Sequence, residues 1–213
     1  MKLQKIDELI LRDHSYLTES DNCFFLAEYT SRKKYDFSNT NQLIYNLKKS
    51  LEKKNTNEWE YKRKAIKTCG KLISGIFANK NISPYVFVPI PPSKCKTDPL
   101  YDDRLVKILE FANNQKQTLN NFNIKELILQ ENSIPSFHNI NNDTRPDPLS
   151  LMAQYKIDQS ILDFKPKKFI IFDDLITTGC HFKAVKWMLQ EAYPDAKIFG
   201  VFIARRIFAE END

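Results

Sequence analysis

Residues 168–172, Lys-Phe-Ile-Ile-Phe, are followed by a short polar turn, a helical apolar pattern over 183–192 and a second apolar run at 197–204. That order constrains the fold more than any other feature of the chain. A strand with apolar residues at successive rather than alternate positions needs cover on both faces, which a parallel sheet with crossover helices supplies. Val185, Met188 and Leu189 share one stripe of the intervening helix, so the segment reads as a right-handed βαβ unit. The expected fold class is α/β, a parallel sheet flanked by helices, with its core over residues 83–213.

Upstream the texture differs. Leu43, Ile44, Leu47 and Leu51 recur at helical spacing behind Thr40, a plausible N-cap, and Tyr61, Ala65, Ile66, Cys69, Leu72 and Ile73 mark a second helix over 59–77. The run 23–27, Cys-Phe-Phe-Leu-Ala, fits a short strand or a buried helical turn, and periodicity does not separate the two. Residues 1–82 are therefore expected to form a mostly helical region packed on the core. A β-rich run at 85–91 ends in prolines, as a buried strand entering a loop does. Arg104, Leu105, Ile108, Leu109 and Ala112 begin another helix, and 124–129 fits a strand or a helix. Residues 131–150 form a long polar loop of the kind that is often functional.

No apolar run is long enough to cross a bilayer, and the amino terminus lacks the order of a signal peptide. The expectation is a cytoplasmic protein without membrane contact. Four dispersed cysteines with no C-x-x-C pair suggest neither a zinc ribbon nor a disulfide framework. The net charge of +5 comes largely from lysines in the first half, among them Lys48, Lys49 and Lys62. A solvated helix face accounts for that excess better than a nucleic-acid surface, for which no recognition element is legible. If the chain associates, a homodimer is expected.

Ligands of open parallel sheets bind at the carboxyl ends of strands. After Phe172 come Asp173, Asp174, Leu175, Ile176, Thr177, Thr178, Gly179, Cys180 and His181. Carboxylates there can accept hydrogen bonds from vicinal hydroxyls of a sugar or hold a hydrated divalent metal. The Thr-Thr-Gly turn can wrap backbone amides around a phosphate at the positive end of the following helix. One segment can thus hold a whole ribose phosphate.

The run of three apolar residues, Asp-Asp, two further residues and Thr-Thr-Gly resembles the signature of type I phosphoribosyltransferases for phosphoribosyl pyrophosphate (PRPP), most nearly that of the ComF-like branch. The resemblance implies that Asp173 and Asp174 face the ribose hydroxyls and hold Mg²⁺, in part through water, while residues 175–181 line the 5-phosphate loop. His181 stands where the family often has Thr or Ser, and the family's amino-terminal zinc-binding cysteines are absent. The resemblance also implies a pyrophosphate loop after an earlier strand, where Lys94, Lys96 and Arg104 would neutralise the leaving group. In that loop Tyr101-Asp102-Asp103-Arg104-Leu105 replaces the Arg-Gly-Phe-Asn run common in ComF-like relatives.

His138 and Arg145, in the long loop, are candidates for a lid or an acceptor contact, although a surface role suffices for both. Arg205 and Arg206 follow the last predicted strand, where solvated surface is the plainer reading. Two functions follow from the resemblance. One is an enzyme that transfers a phosphoribosyl group between PRPP and an unidentified nitrogenous base, or runs the reverse reaction. The other is a non-catalytic module that senses PRPP or a nucleotide, with a link to DNA metabolism.

Overall fold

The computed structural model describes residues 2–134, 147–162 and 165–209. Its main sheet has six strands: β1 (Gln4–Lys5), β2 (Asn22–Ser31), β3 (Val86–Pro89), β4 (Asn123–Ile124), β7 (Lys168–Ile176) and β8 (Lys197–Phe208). They lie in the order β1-β2-β8-β7-β3-β4. Every neighbouring pair is parallel except β1 with β2. A small antiparallel ribbon pairs β5 (Ile128–Gln130) with β6 (Tyr155–Ile157). The helices are α1 (Glu8–Leu11), α2 (Asn39–Leu47), α3 (Trp59–Ile76), α4 (Arg104–Asn114), α5 (Pro148–Met152) and α6 (Cys180–Ala192). The fold is α/β, as expected, with a mostly parallel sheet flanked by helices. Among the described residues, no helix is long and apolar enough to cross a membrane.

The apolar run at 168–172 becomes the middle of the sheet. Phe169, Ile170, Ile171 and Phe172 are all buried, between β3 on one side and β8 on the other. α6 then carries the chain from β7 to its parallel neighbour β8, and Phe182 on the helix meets Phe202 on the strand edge to face.

The expectation of a mostly helical amino-terminal region needs correction. α1, α2 and α3 lie there, but residues 22–31 form a ten-residue strand between β1 and β8, paired with β8 along its length. Cys23, Phe25 and Leu26 are buried in the common core. The parallel edge of β8 supplies partners for the backbone groups that face it, and that long-range pairing decides between strand and helix. The cap of α2 is also displaced: Ser38, not Thr40, receives a backbone N–H in its side chain, from Asn41 at 3.0 Å.

Asn41 ties this helix to the sheet. Its buried amide accepts from the Thr30 N–H at 3.1 Å and donates to the Thr30 carbonyl at 2.9 Å, extending the ladder by one side chain. The amino end of α2 is thereby fixed to the carboxyl end of β2.

Candidate functional site

β3 and β7 part company at the point where the chemistry begins. Their last ladder bond runs from the Ile90 amide to the Phe172 carbonyl at 3.0 Å, and Pro91 and Pro92 then lead β3 away without donors of their own. β7 continues against β8 alone, from Asp173 opposite Phe202 to Ile176 opposite Arg205. Its burial switches there from continuous to alternating: Asp173 and Leu175 are half-buried, Asp174 and Ile176 buried. The acidic pair thus lies within the strand and not after it, and its two side chains project to opposite faces of the pleat.

A cavity of about 830 Å³ opens beside this gap. Asp173, Asp174, Leu175, Thr177, Thr178, Cys180, His181, Lys94 and Arg104 line it, so most of the residues singled out in the sequence converge. Ile176 turns into the core, and Gly179 is packed under Leu17. Lys96 is half-exposed and pairs with Glu126 at 3.0 Å instead of joining the wall. His138 and Arg145 lie outside the described residues.

Asp174 is not at a solvent-reachable edge. It is 1 % exposed, with Oδ2 accepting from Arg104 Nε at 2.7 Å and Oδ1 lying 3.3 Å from Lys48 Nζ. Burial alone would raise its pKa, but the guanidinium and then the ammonium reverse that and hold the carboxyl well below the usual carboxylate range. Arg104 also donates from Nη1 to Asp102 at 2.9 Å. The other charge on Asp102 comes from Lys62, whose buried ammonium donates to Asp102 at 2.7 Å and to the carbonyls of Leu47 and Lys49 at 2.8 and 2.9 Å. Lys62 therefore satisfies carbonyls at the end of α2 while anchoring an alternating chain of charges, Lys62, Asp102, Arg104, Asp174 and Lys48.

Asp173 behaves differently. One of its oxygens accepts the Asp174 N–H at 2.7 Å. Burial, followed by the neighbouring Asp174 charge, pushes its carboxyl up to about 7. It can accept from a hydroxyl when ionised and donate when protonated. His181 is also altered by its surroundings. Burial, then Lys48, lowers its pKa to about 4, which keeps the ring neutral. Burial keeps the Tyr155 phenol protonated, and its hydroxyl lies 2.8 Å from His181 Nδ1, a hydrogen bond whose direction follows the ring tautomer. A neutral ring keeps one N–H to donate, so His181 can still meet a phosphate oxygen without carrying charge.

The turn between β7 and α6 occupies residues 177–179. Gly179 takes φ +83°, and a β-carbon there would fall 2.7 Å from a Leu17 methyl, so both conformation and space require glycine. α6 opens directly after it, and the Cys180 amide at its start donates to Thr178 Oγ1 at 3.4 Å.

Several wall residues carried no functional signal in the sequence. Lys48 is one of a run of lysines, and Arg32 and Asp102 belong to no motif, yet all three line the cavity. Arg206 lines it too, while Arg205 on the opposite face is buried and paired with Asp13 at 3.0 Å and with Glu28. Neither arginine is the solvated strand end expected. The usable signal was the alternation of β8 past Ala204, which sends consecutive arginines to opposite faces.

Asp173 and Asp174 were also considered as magnesium ligands. Among the described residues no group of three or more His, Cys, Asp or Glu side chains converges on one point. Both Asp174 oxygens face cations. Of the pair, only Asp173 has no cation against its carboxylate among the described residues. No protein-family model matches the chain, and no curated protein matches it either.

Proposed function

We propose that the cavity binds PRPP, or the ribose 5-phosphate part of a nucleotide, and that the protein transfers the phosphoribosyl group to or from a nitrogenous base. The observation that carries this reading is the convergence of the Asp173 carboxylate, the Thr177–Thr178 turn that ends in a left-handed Gly179, and a helix start on one cavity. The volume falls within the range of pockets that take ligands of this size.

In this reading the amides of the turn and of α6 hold the 5-phosphate, with Thr177, Thr178 and His181 as side-chain donors. Asp173 orients the ribose diol. Asp174 does not touch the sugar first; it holds Arg104 and Lys48 in place, so positive charge faces the far end of the ligand. Lys94, on the loop after β3, meets the pyrophosphate there. Positive groups fixed in advance favour departure of that polyanionic fragment as the C1–oxygen bond lengthens and charge builds on the leaving oxygen. Magnesium bound to the pyrophosphate would add charge neutralisation at the same end.

Purified protein incubated with PRPP, Mg²⁺ and a panel of purine and pyrimidine bases tests the proposal through release of pyrophosphate. Base-dependent release is the expected result. A rise in melting temperature with PRPP but no base-dependent release would support binding without transfer. Neither a thermal shift nor release would rule out both.

A further inference from the structure

Behind the 177–179 turn, on the side away from the cavity, lies a segment of the amino-terminal chain. His14 is fully buried and donates from Nδ1 to the Thr177 carbonyl. Two residues on, the Tyr16 amide donates to the Thr178 carbonyl at 2.9 Å. Leu17 then packs against Gly179, closing the space that any larger residue would need. Thr177 and Thr178 line the cavity, and none of residues 14–17 does.

We infer that residues 14–17 form a strap that aims the amide hydrogens of Thr178 and Gly179 into the cavity, with His14 as its positioning residue and a phosphate monoester as the ligand addressed. The argument rests on the planarity of the peptide. No cis bond is present among the described residues. In a trans peptide the N–H points opposite to the preceding C=O. Two successive carbonyls drawn backward, one by the imidazole and one by the Tyr16 amide, turn the two following N–H groups forward. Consecutive amides presented in this way make an anion-binding concavity beside the helix start.

His14 bears the mark of a residue held for one contact. Its Nε2 is buried with no hydrogen-bond partner among the described residues, an unfavourable state that an apolar side chain would avoid. Burial lowers its pKa, so the ring is neutral and its single hydrogen sits on Nδ1, where it meets Thr177. The strap also explains how the first residues of the chain reach the site without lining it.

This inference deepens the phosphate-loop reading of residues 177–179 and depends on it. The test is a titration of ¹⁵N-labelled full-length protein with inorganic phosphate, and separately with ribose 5-phosphate, following the Thr178 and Gly179 amide signals. In His14→Asn the amide nitrogen takes the place of Nδ1, whereas in His14→Gln it falls nearer Nε2. Wild type and His14→Asn should bind phosphate alike with shifts at both amides, and His14→Gln should bind about tenfold more weakly, the scale of one hydrogen bond to a charged ligand's site. If His14→Gln does not fold, Leu17→Ala, which loosens the packing under Gly179, carries the same expectation. Equal affinity across the variants, or phosphate binding in the wild type that leaves both amides unmoved, overturns the strap. Phosphate shifts at these amides with no gain in affinity from the ribose would leave the strap standing and count against the sugar site.

Discussion

The acid-and-turn wall of the cavity and its cationic wall are built from very different lengths of sequence. Asp173, Thr177, Thr178 and His181 belong to one strand, turn and helix start. Arg104 reaches Asp174 across 70 residues, and Lys62 reaches Asp102 across 40. The residues of the first wall lie in one short window of the chain, and residues 14–17 brace its turn from behind. The second exists only when α2, α3 and the loop before α4 dock over the strand ends. A ligand held between them reads both kinds of order at once.

Asp174 joins the two walls, so its replacement should have the largest effect. Asp174→Asn leaves Arg104 and Lys48 short of their shared partner and should lower stability by about 3 kcal/mol at neutral pH, the scale for breaking a buried pair. The pH dependence fixes the sign. The folded pKa is depressed, so the stabilisation is present above the ordinary value of 3.8 and disappears as pH falls below it. Denaturant melts of the wild type and variant should therefore converge on acidification below that value. A constant gap would mean that the charge network adds nothing.

Gly179→Val attacks the local wall alone. The left-handed backbone should cost about 1–3 kcal/mol, with the clash against Leu17 in addition, and ribose 5-phosphate binding should be lost. Calorimetry on the folded variant checks this; retained affinity would place the phosphate elsewhere.

Asp173→Asn separates stability from ligand binding. The Asp173 pKa is raised on folding, so its contribution is most favourable below the unfolded value of 3.8 and is lost as pH rises through about 7. The asparagine variant should therefore be more stable than wild type above about 7, yet bind ribose 5-phosphate roughly tenfold more weakly. The wild type's gain in affinity as Asp173 ionises should be absent in the variant. Melts and titrations on either side of that pH test both statements.

Lys96→Ala should do least. Its exposed pair with Glu126 is worth less than about 1 kcal/mol, and the side chain does not line the cavity, so PRPP-dependent stabilisation should be unchanged. Lys48→Ala, outwardly a similar loss of one lysine, should weaken it. Equal effects would erase the distinction between the two walls.

The same contrast explains what could be read from the chain. β7, α6 and β8 were legible because each apolar pattern lies in a short window, and the turn between β7 and α6 is specified by its own residues. Arg104 was identified through the loop that ends at it, but its service to Asp174 was not visible. Lys48 and Lys62 are two lysines in a run of many, separated from their neighbours only by docking. Lys62 is buried because it meets the carbonyls of Leu47 and Lys49 together with Asp102. β2 was ambiguous because a run such as Cys-Phe-Phe-Leu-Ala has no period, and its partner strand lies at the other end of the chain. The His14 contact with Thr177 is of the same long-range kind.

A crystal structure of the protein with ribose 5-phosphate tests the central claim most directly. The account predicts the phosphate within hydrogen-bonding distance of the Thr178 and Gly179 amides at the start of α6, and the ribose hydroxyls against Asp173. A phosphate seated on Lys94 with the 177–179 turn empty, or a ligand bound outside the cavity, would contradict it.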